Sequence, residues 1–397
     1  MISAEKDKNK RPGRKNQKTG AICVALDLNC EAHFIDTMSA PENARNVRIK
    51  DIARLSGVSV GTVDRVLHNR GRVSEEAMQK VLKVLEQIDY KPNVIARTLG
   101  SNKTYRIAAL LPNPAQDPYW ALTREGIEQA QTEWMRYGVA IEPYFFDLYA
   151  KETLAAVAQA IITSAPDGIL IAPIFYHESL PHLQRFEELG IPYVLVNTRI
   201  ENIASLSFIG QDLYQSGKLG GELMHLSVRE PEGVIAVLHI NEDLGNSVHL
   251  AEKERGFRDY FAQHNSHRYE IRTFNFYDPS ALAMDATLSD LLNEGALKGI
   301  FVTTSHGTSV MAAFLEEHRK SDIKLIGYDL LTDNVRYLEK GIIRFLIHQN
   351  PKRQAFLGIN HLVSHLILKK PTPPQDLLPL EIISQQNIRS YLESSVP

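Results

Sequence analysis

The chain has 397 residues, enough for two or three domains with cores of their own, and 44% of them are apolar. Its formal net charge of −3 hides an asymmetry, with +7 over residues 1–104 and −10 over residues 105–397. Two cysteines, Cys23 and Cys30, are too few for a disulfide framework and have no zinc-ligand spacing, and no apolar run reaches the length of a membrane span.

Residues 1–46 read as a disordered basic extension, because Lys6–Lys18 is basic, repetitive and poor in apolar residues. Such an arm adds nonspecific phosphate affinity, unless translation begins at Met38 and the arm has no role. Ala21–Leu28 is briefly apolar but contains Asp27 and precedes no small-residue cleavage site. A secretory signal is therefore not expected, and the chain reads as cytoplasmic.

Ile49, Ile52, Ala53 and Leu55 recur at helical spacing, so Ile49–Ser56 reads as a short helix that Gly57 stops. Val58 plugs the turn and Ser59 caps a second helix, Val60–Leu67. Its Val63, Val66 and Leu67 face inward, leaving Val60, Gly61, Asp64, Arg65 and His68 outward. Asn69-Arg70-Gly71 breaks the pattern. Ser74, followed by Glu75 and Glu76, starts a third helix with the stripe Met78, Val81, Leu82, Leu85 and Ile88. Helix, glycine turn, helix is the layout that lays its second helix in a DNA major groove. The basic reader and acidic body agree with that use.

Asp51-Ile52-Ala53, Ser56-Gly57-Val58-Ser59, Thr62-Val63, Arg65-Val66, Val73-Ser74 and Tyr90-Lys91-Pro92-Asn93 with Ala96 and Leu99 resemble the lac repressor/galactose repressor family of transcription regulators. The resemblance implies a helix-turn-helix domain over residues 47–91 and a hinge helix with linker over residues 92–104. It implies DNA contacts from Ser59, Val60, Gly61, Thr62, Arg65 and His68 in the reader. In the hinge it implies Asn93 and Ala96, with Leu99 as a wedge in the minor groove. Paired wedges imply a homodimer on a palindromic double-stranded operator. Arg65 suits a base reader because its fork pairs with guanine O6 and N7. Three positions depart from the family pattern. Gly61 offers no side chain to a base, Asp64 either braces Arg65 or accepts from a cytosine amino group, and Arg48 replaces a capping Thr.

From Tyr105 the texture changes. Apolar runs at Ile107–Leu111, Gly168–Pro173, Tyr193–Asn197, Val234–His239, Gly299–Thr303 and Lys324–Gly327 alternate with helical stretches, among them Thr123–Arg136. That alternation predicts parallel sheets covered on both faces, about ten strands in all, and hence two α/β lobes over residues 105–397. Ligands of such sheets sit beyond the carboxyl ends of the strands. The segments there supply Asn113, Asp117, Tyr119 and Trp120, then Asn197 and Arg199, then Asp212, Asn246, Ser305, Asp329 and Gln349. These planar amides, carboxylates and aromatic faces suit a sugar's hydroxyls and ring.

This body resembles the type I periplasmic-binding-protein fold that the same family uses as its sensor. Gln211-Asp212, Gly327-Tyr328-Asp329 and Gln349 carry the resemblance. The family's ligand-binding Arg falls at Lys253 by spacing, with Arg255 the nearest arginine, so both are candidates. The Gly210–Lys218 stretch lacks phosphate-loop spacing, no Gly-x-Gly-x-x-Gly follows the first strand, and no metal cluster or Gly-x-Ser-x-Gly elbow occurs. No cofactor or metal is expected. The sequence predicts a transcription regulator, in its default mode a repressor, controlled by a small effector of carbohydrate type. A transport-type sugar-binding module and a sugar-modifying enzyme using Asp212 and Asp329 as acid and base are the rival readings.

Overall fold

The computed structural model describes residues 48–67, 71–88, 103–240, 246–264, 268–276, 286–293 and 295–394. The chain divides into two compact units, residues 1–92 and 93–397. The basic extension with Cys23, Cys30 and Met38, the candidate DNA contacts His68, Asn93, Ala96 and Leu99, and residues 92–102 of the hinge and linker fall outside the described residues.

The reader consists of α1 (Ile49–Ser56), α2 (Val60–Leu67) and α3 (Glu75–Gln87). Gly57 ends α1 at φ 66°, the left-handed conformation that glycine takes without a Cβ penalty. Ser59 Oγ accepts from Thr62 N at 3.0 Å and Ser74 Oγ from Ala77 N at 3.4 Å, so both capping serines act as expected. The start of α1 keeps half of a capping box without a Thr: Asp51 Oδ2 accepts from Arg48 N at 3.0 Å. Ile52, Ala53, Val63, Val81 and Val84 form the core, with Ile49, Val66, Leu85 and Ile88 packed round it.

Two residues of the expected apolar stripes lie elsewhere. Leu55 is 55% exposed and Leu82 is 45% exposed. Leu82 stands about 100° round the helix from buried Val81, and buried Val84 takes the inward place instead. On α1 the inward place belongs to Ser56, whose hydroxyl bonds back to Ile52 O at 2.6 Å.

The second unit alternates strand and helix: β1 (Tyr105–Pro112), α4 (Pro118–Trp134), β2 (Val139–Phe146), α5 (Thr153–Ser164), β3 (Gly168–Ile171), α6 (Tyr176–Glu188), β4 (Tyr193–Val196) and β5 (Ser207–Gly210). There follow α7 (Leu213–Ser227), β6 (Gly233–Ile240), α8 (Val248–Gln263), β7 (Tyr269–Phe276), α9 (Ala286–Asn293), β8 (Leu297–Val302) and α10 (Ser305–Glu317). Last come β9 (Lys324–Tyr328), α11 (Thr332–Glu339), β10 (Ile343–His348), α12 (Pro351–Val363), β11 (Gln375–Leu377), β12 (Glu381–Ile383) and α13 (Ile388–Ser394). The strands make two six-stranded sheets, ordered β11-β5-β4-β3-β1-β2 and β12-β10-β9-β8-β6-β7. The orders repeat one another, and in each the strand order reverses beside the first strand of its lobe, at β1/β3 and β6/β8. Among the described residues only the β10–β12 pair is antiparallel.

Three passages join the lobes: β5 to α7, β10 to α12, and β11 to β12. After the first, α7 packs on α8 and on β8, β9 and β10 of lobe two. After the second, α12 packs on α4 and on β3, β4 and β5 of lobe one. Glycines make both helix pairings close. A Cβ on Gly217 would lie 2.0 Å from Lys253 O, and one on Gly256 2.0 Å from Tyr214 O. Gly126 likewise approaches Lys352 O.

The first helix of the second unit begins five residues earlier than its apolar spacing suggests. Asp117 Oδ1 accepts from Tyr119 N at 2.7 Å, and Pro118 fills the first turn, where its missing N–H costs nothing. Among the described residues no helix is long and apolar enough to cross a membrane.

Candidate functional site: a cavity between the lobes

Strand ends from both sheets converge on a small, half-open polar pocket with about 30 Å³ of free volume. Lobe one lines it with Asp117, Tyr119, Trp120 and Asn197; lobe two with His249, Lys253, Thr303, Thr304 and Ser305; and the second crossing with Gln349. Three non-glycine residues with positive φ turn the chain here: Asn197 (67°) after β4, Asp329 (63°) after β9 and Asn350 (55°) after β10. Asn and Asp tolerate this region better than other side chains, and strain of this kind gathers at functional sites.

On the lobe-one wall, Asn197 Nδ2 donates to Tyr119 Oη at 2.8 Å, and the Tyr119 and Trp120 rings meet edge to face at 4.9 Å. Burial, reinforced by the charge of Asp329, pushes the Tyr119 phenol well above its ordinary pKa, so it remains a neutral hydroxyl. On the lobe-two wall, the buried Lys253 donates from Nζ to Thr303 O at 2.9 Å and sits 3.8 Å from the centre of the Tyr328 ring.

Behind this wall lies Asp329, wholly buried. Its carboxylate accepts from Ser305 Oγ at 2.5 Å, from Gln349 N at 2.7 Å and from Gln349 Nε2 at 2.6 Å, with His348 Nδ1 at 3.3 Å. Burial opposes the charge, but the bond and charge of His348, the Ser305 hydroxyl and the Gln349 amide outweigh it and hold the carboxyl below its ordinary pKa. Asn334 Nδ2 donates to Ser305 O, Tyr328 O and Asp329 O, fixing the same turn from below.

The crossings are tied together beside the cavity. Gln211 Nε2 donates to His348 O at 2.8 Å and to Pro379 O at 2.7 Å, so one amide on the first crossing grips the other two. Gln354 on α12 accepts from Asn197 N at 3.0 Å and donates to Gln349 O at 2.9 Å. Any change in the angle between lobes must therefore rearrange the groups that wall the cavity.

The pattern of a periplasmic binding protein domain matches residues 107–370, and that of bacterial regulatory proteins of the lacI family matches residues 48–93. The chain belongs to the LacI family. It is 29% identical over 175 residues to the HTH-type transcriptional regulator MalR of Streptococcus pneumoniae, covering 43% of this chain and 51% of that protein. It thus spans about half the length of that relative. It is 24% identical over 354 residues to the sucrose operon repressor of Streptococcus mutans, covering 86% of this chain and 99% of that protein. A solved structure assigned to the LacI transcriptional regulators, from Bacteroides fragilis, superposes with a TM-score of 0.67 at 31% identity, covering 73% of this chain and all of that one. The fold is shared by GanP, a glucose-galactose binding protein of Geobacillus stearothermophilus, with a TM-score of 0.63 at 20% identity over 72% of this chain and 99% of that one.

Within this LacI-family chain the candidate residues fall into four groups. Asp117, Tyr119, Trp120, Asn197, Lys253, Ser305 and Gln349 wall the inner cavity, and Asp329 braces two of them from behind. Arg199, Asp212 and Arg255 line a separate, larger pocket of about 710 Å³ beside it. Asn246 spans the cleft: its Nδ2 donates to Glu178 Oε2 at 2.6 Å and its Oδ1 accepts from His177 N at 3.0 Å. Asn113 is a turn residue whose Oδ1 accepts from Ala115 N at 3.0 Å. Of the two basic candidates, Lys253 faces the inner cavity. Arg255 pairs with Glu252 at 2.5 Å and lies over the Tyr214 ring at 4.6 Å.

His249, Thr303 and Thr304 also wall the cavity and were not read from the sequence. His249 stands one turn before Lys253 on α8, so the spacing that places one inward places the other. Among the described residues, no group of His, Cys, Asp and Glu is gathered to hold a metal.

Thr303 is anchored by a buried network. His239 Nδ1 meets Thr303 Oγ1 at 2.7 Å, and its Nε2 meets Glu254 Oε2 at 2.6 Å. Arg258 Nε donates to Glu254 Oε1 at 2.6 Å, and Thr273 also bonds that oxygen. Burial opposes the Glu254 charge, but these partners hold its pKa at about 2, against an ordinary 4.5. A carboxyl whose pKa falls on folding stabilises the folded state fully above its unfolded pKa and loses that contribution as pH drops toward the folded one. The depression is worth about 3 kcal/mol, and roughly 2 kcal/mol of it should vanish between pH 5.5 and pH 3. Denaturant titrations of the parent and of Glu254→Gln should show their stability gap narrowing by that amount over this window. A gap that does not change with pH would remove the network's charge from the account.

Proposed function

We propose that this LacI-family chain is a homodimeric, sequence-specific DNA-binding transcription regulator. In its default mode it is a repressor acting inside the cell, whose hold on a palindromic operator is set by a small sugar-like effector in the inner cavity. The observation that carries this reading is the union, in one chain, of an outward-facing α2 with a two-lobed polar cavity. Val60, Gly61 and Arg65 are exposed on α2, while Val63 is locked into the core. The cavity sets amides, hydroxyls, a carboxylate and an ammonium round two aromatic rings, which suits hydroxyl groups on a small ring. The name of the sucrose operon repressor, similar over most of its length, supports an effector of that class.

Effector binding shifts the angle between lobes through the three crossings that Gln211 joins. The two ligands are coupled reciprocally: DNA weakens effector binding by the same factor that effector weakens DNA binding. Binding rather than turnover fits the two carboxylates considered for acid–base work. Asp212 caps α7, accepting from Gln215 N at 2.9 Å, and every Asp329 contact is a donor that favours the charged form. A transport-only module has no use for the reader.

The test of the reader is Arg65→Ala. Operator binding measured by fluorescence anisotropy should weaken by about 1–3 kcal/mol and lose discrimination at one base pair per half-site. Unchanged affinity and unchanged discrimination would take Arg65 out of the reader. On the sensor side, a carbohydrate at a hundred times its dissociation constant should raise the stability of the full chain by about 2.7 kcal/mol.

A further inference from the structure

Two helices meet across the cleft at a single side chain. Asn246, buried just before α8 of lobe two, donates from Nδ2 to Glu178 Oε2 at 2.6 Å and accepts at Oδ1 from His177 N at 3.0 Å. Both ends of its amide are therefore engaged by the first turn of α6, in lobe one. That turn lacks a cap of its own, since the residue before α6 is Phe175, which makes no side-chain capping bond. A helix start ordinarily takes such a bond from a Ser, Thr, Asp or Asn at that place in its own chain. Here an Asn supplies it from the opposite lobe. Lys151 Nζ, 3.1 Å from Glu178 Oε1, steadies the carboxylate from within lobe one.

The position of this contact gives it leverage. The crossings join β5, β10, β11 and β12, which lie at one edge of each sheet. Glu178 follows β3 and Asn246 follows β6, two strands from β5 and three strands from β10. Strands lie about 4.8 Å apart, so the contact stands about 10–14 Å from the crossings. At that radius a rotation of about 10° between lobes parts its two sides by about 2 Å, and a hydrogen bond does not survive beyond about 3.5 Å. The contact is therefore either made or broken. Breaking it strips α6 of its cap. The inner pocket has about 30 Å³ of free volume, room for about two water molecules. Anything larger enters only after the lobes part.

We infer that Asn246 is an interlobe clasp: it caps α6 of the opposite lobe, binds Glu178, and so sets how often the cleft opens. The inference needs only the two-lobed fold and holds whatever molecule the pocket takes.

Thiol labelling of the full chain, with no effector added, tests it. Cys23 and Cys30 are replaced by Ser, and Thr304→Cys places one thiol on the pocket wall, where a reagent the size of dithionitrobenzoate reaches it only when the lobes part. With closing faster than reaction, the labelling rate follows the open population. Asn246→Ala and Glu178→Ala, which remove the contact from opposite lobes, should each raise that rate about tenfold, equivalent to about 1.4 kcal/mol. The two together should do little more than either alone, because they remove one contact. The rise should be the same in water and in dilute urea, since parting lobes exposes far less surface than unfolding does. A rate unchanged by either substitution overturns the clasp. So does a double variant whose effects multiply to about a hundredfold, or a rise that grows steeply with urea and so belongs to unfolding.

Discussion

Replacing Asp329 by Ala is expected to abolish the effector response of operator binding and to destabilise the sensor by about 3–6 kcal/mol. The magnitude follows from what the carboxylate holds. Ser305 Oγ, Gln349 N and Gln349 Nε2 all donate to it at 2.5–2.7 Å, and the residue is wholly buried. Each donor left unpaired in that setting costs about 1–3 kcal/mol, and water entering the space recovers part of it. Alanine also tolerates the positive φ of this position less well than Asp. Ser305 and Gln349 wall the cavity, so their release spoils the site even where the fold survives. Asp329→Asn keeps the shape and one acceptor, and its loss should be smaller. Anisotropy on operator DNA, with and without effector, reads the response, and a thermal melt reads the fold. The reader has its own core and should keep binding DNA. A variant that melts with the parent and still responds would place the coupling elsewhere. Because the Asp329 pKa is lowered, its stabilisation persists above the usual carboxylate range and is lost only as pH falls through the folded value.

The reader was legible almost to the residue because its signals are local. Gly57, Ser59 and Ser74 each start or stop a helix through contacts within a few residues of themselves. The sensor's interior strands β1, β3, β4, β6, β8 and β9 were legible as apolar runs, since neighbours flank them and helices cover both faces. The edge strands β2 and β7 were not localised. Val139–Phe146 contains Glu142 and Pro143, and Tyr269–Phe276 is mostly half-exposed, so neither carries a continuous apolar run. The strand-end rule found the region of the site but could not separate its two cavities. Residues 253 and 255 are about 200° apart on a helix, and which one faces inward depends on how α8 packs against α7. That packing is decided by glycines on two helices distant in sequence, which no local pattern reveals. Gln211 was legible as a motif residue, yet its grip on all three crossings exists only once the crossings are side by side.

The α7–α8 contact carries the remaining large effect. Gly217→Ala should cost at least about 3 kcal/mol, the upper end for overpacking, and lower the melting temperature by roughly 5–10 °C. The added Cβ would lie 2.0 Å from Lys253 O and 2.8 Å from Lys253 C, where ordinary contact begins at 3.4 Å. The obstacle is backbone, so no rotamer change relieves it, and the two helices must part by at least about 1.0 Å, and by 1.4 Å for ordinary contact. The reciprocal fit of Gly256 on Tyr214 O closes the alternative of sliding along the same line. Lys253 and His249 ride on α8, so the shift also withdraws them from the inner cavity. Effector affinity should therefore fall beyond what the stability loss explains. Calorimetry of the unliganded chain measures the first effect and titration with an effector measures the second. A melting temperature unchanged by Gly217→Ala would mean that the two helices can part freely, and that Lys253 owes its position to something other than their contact.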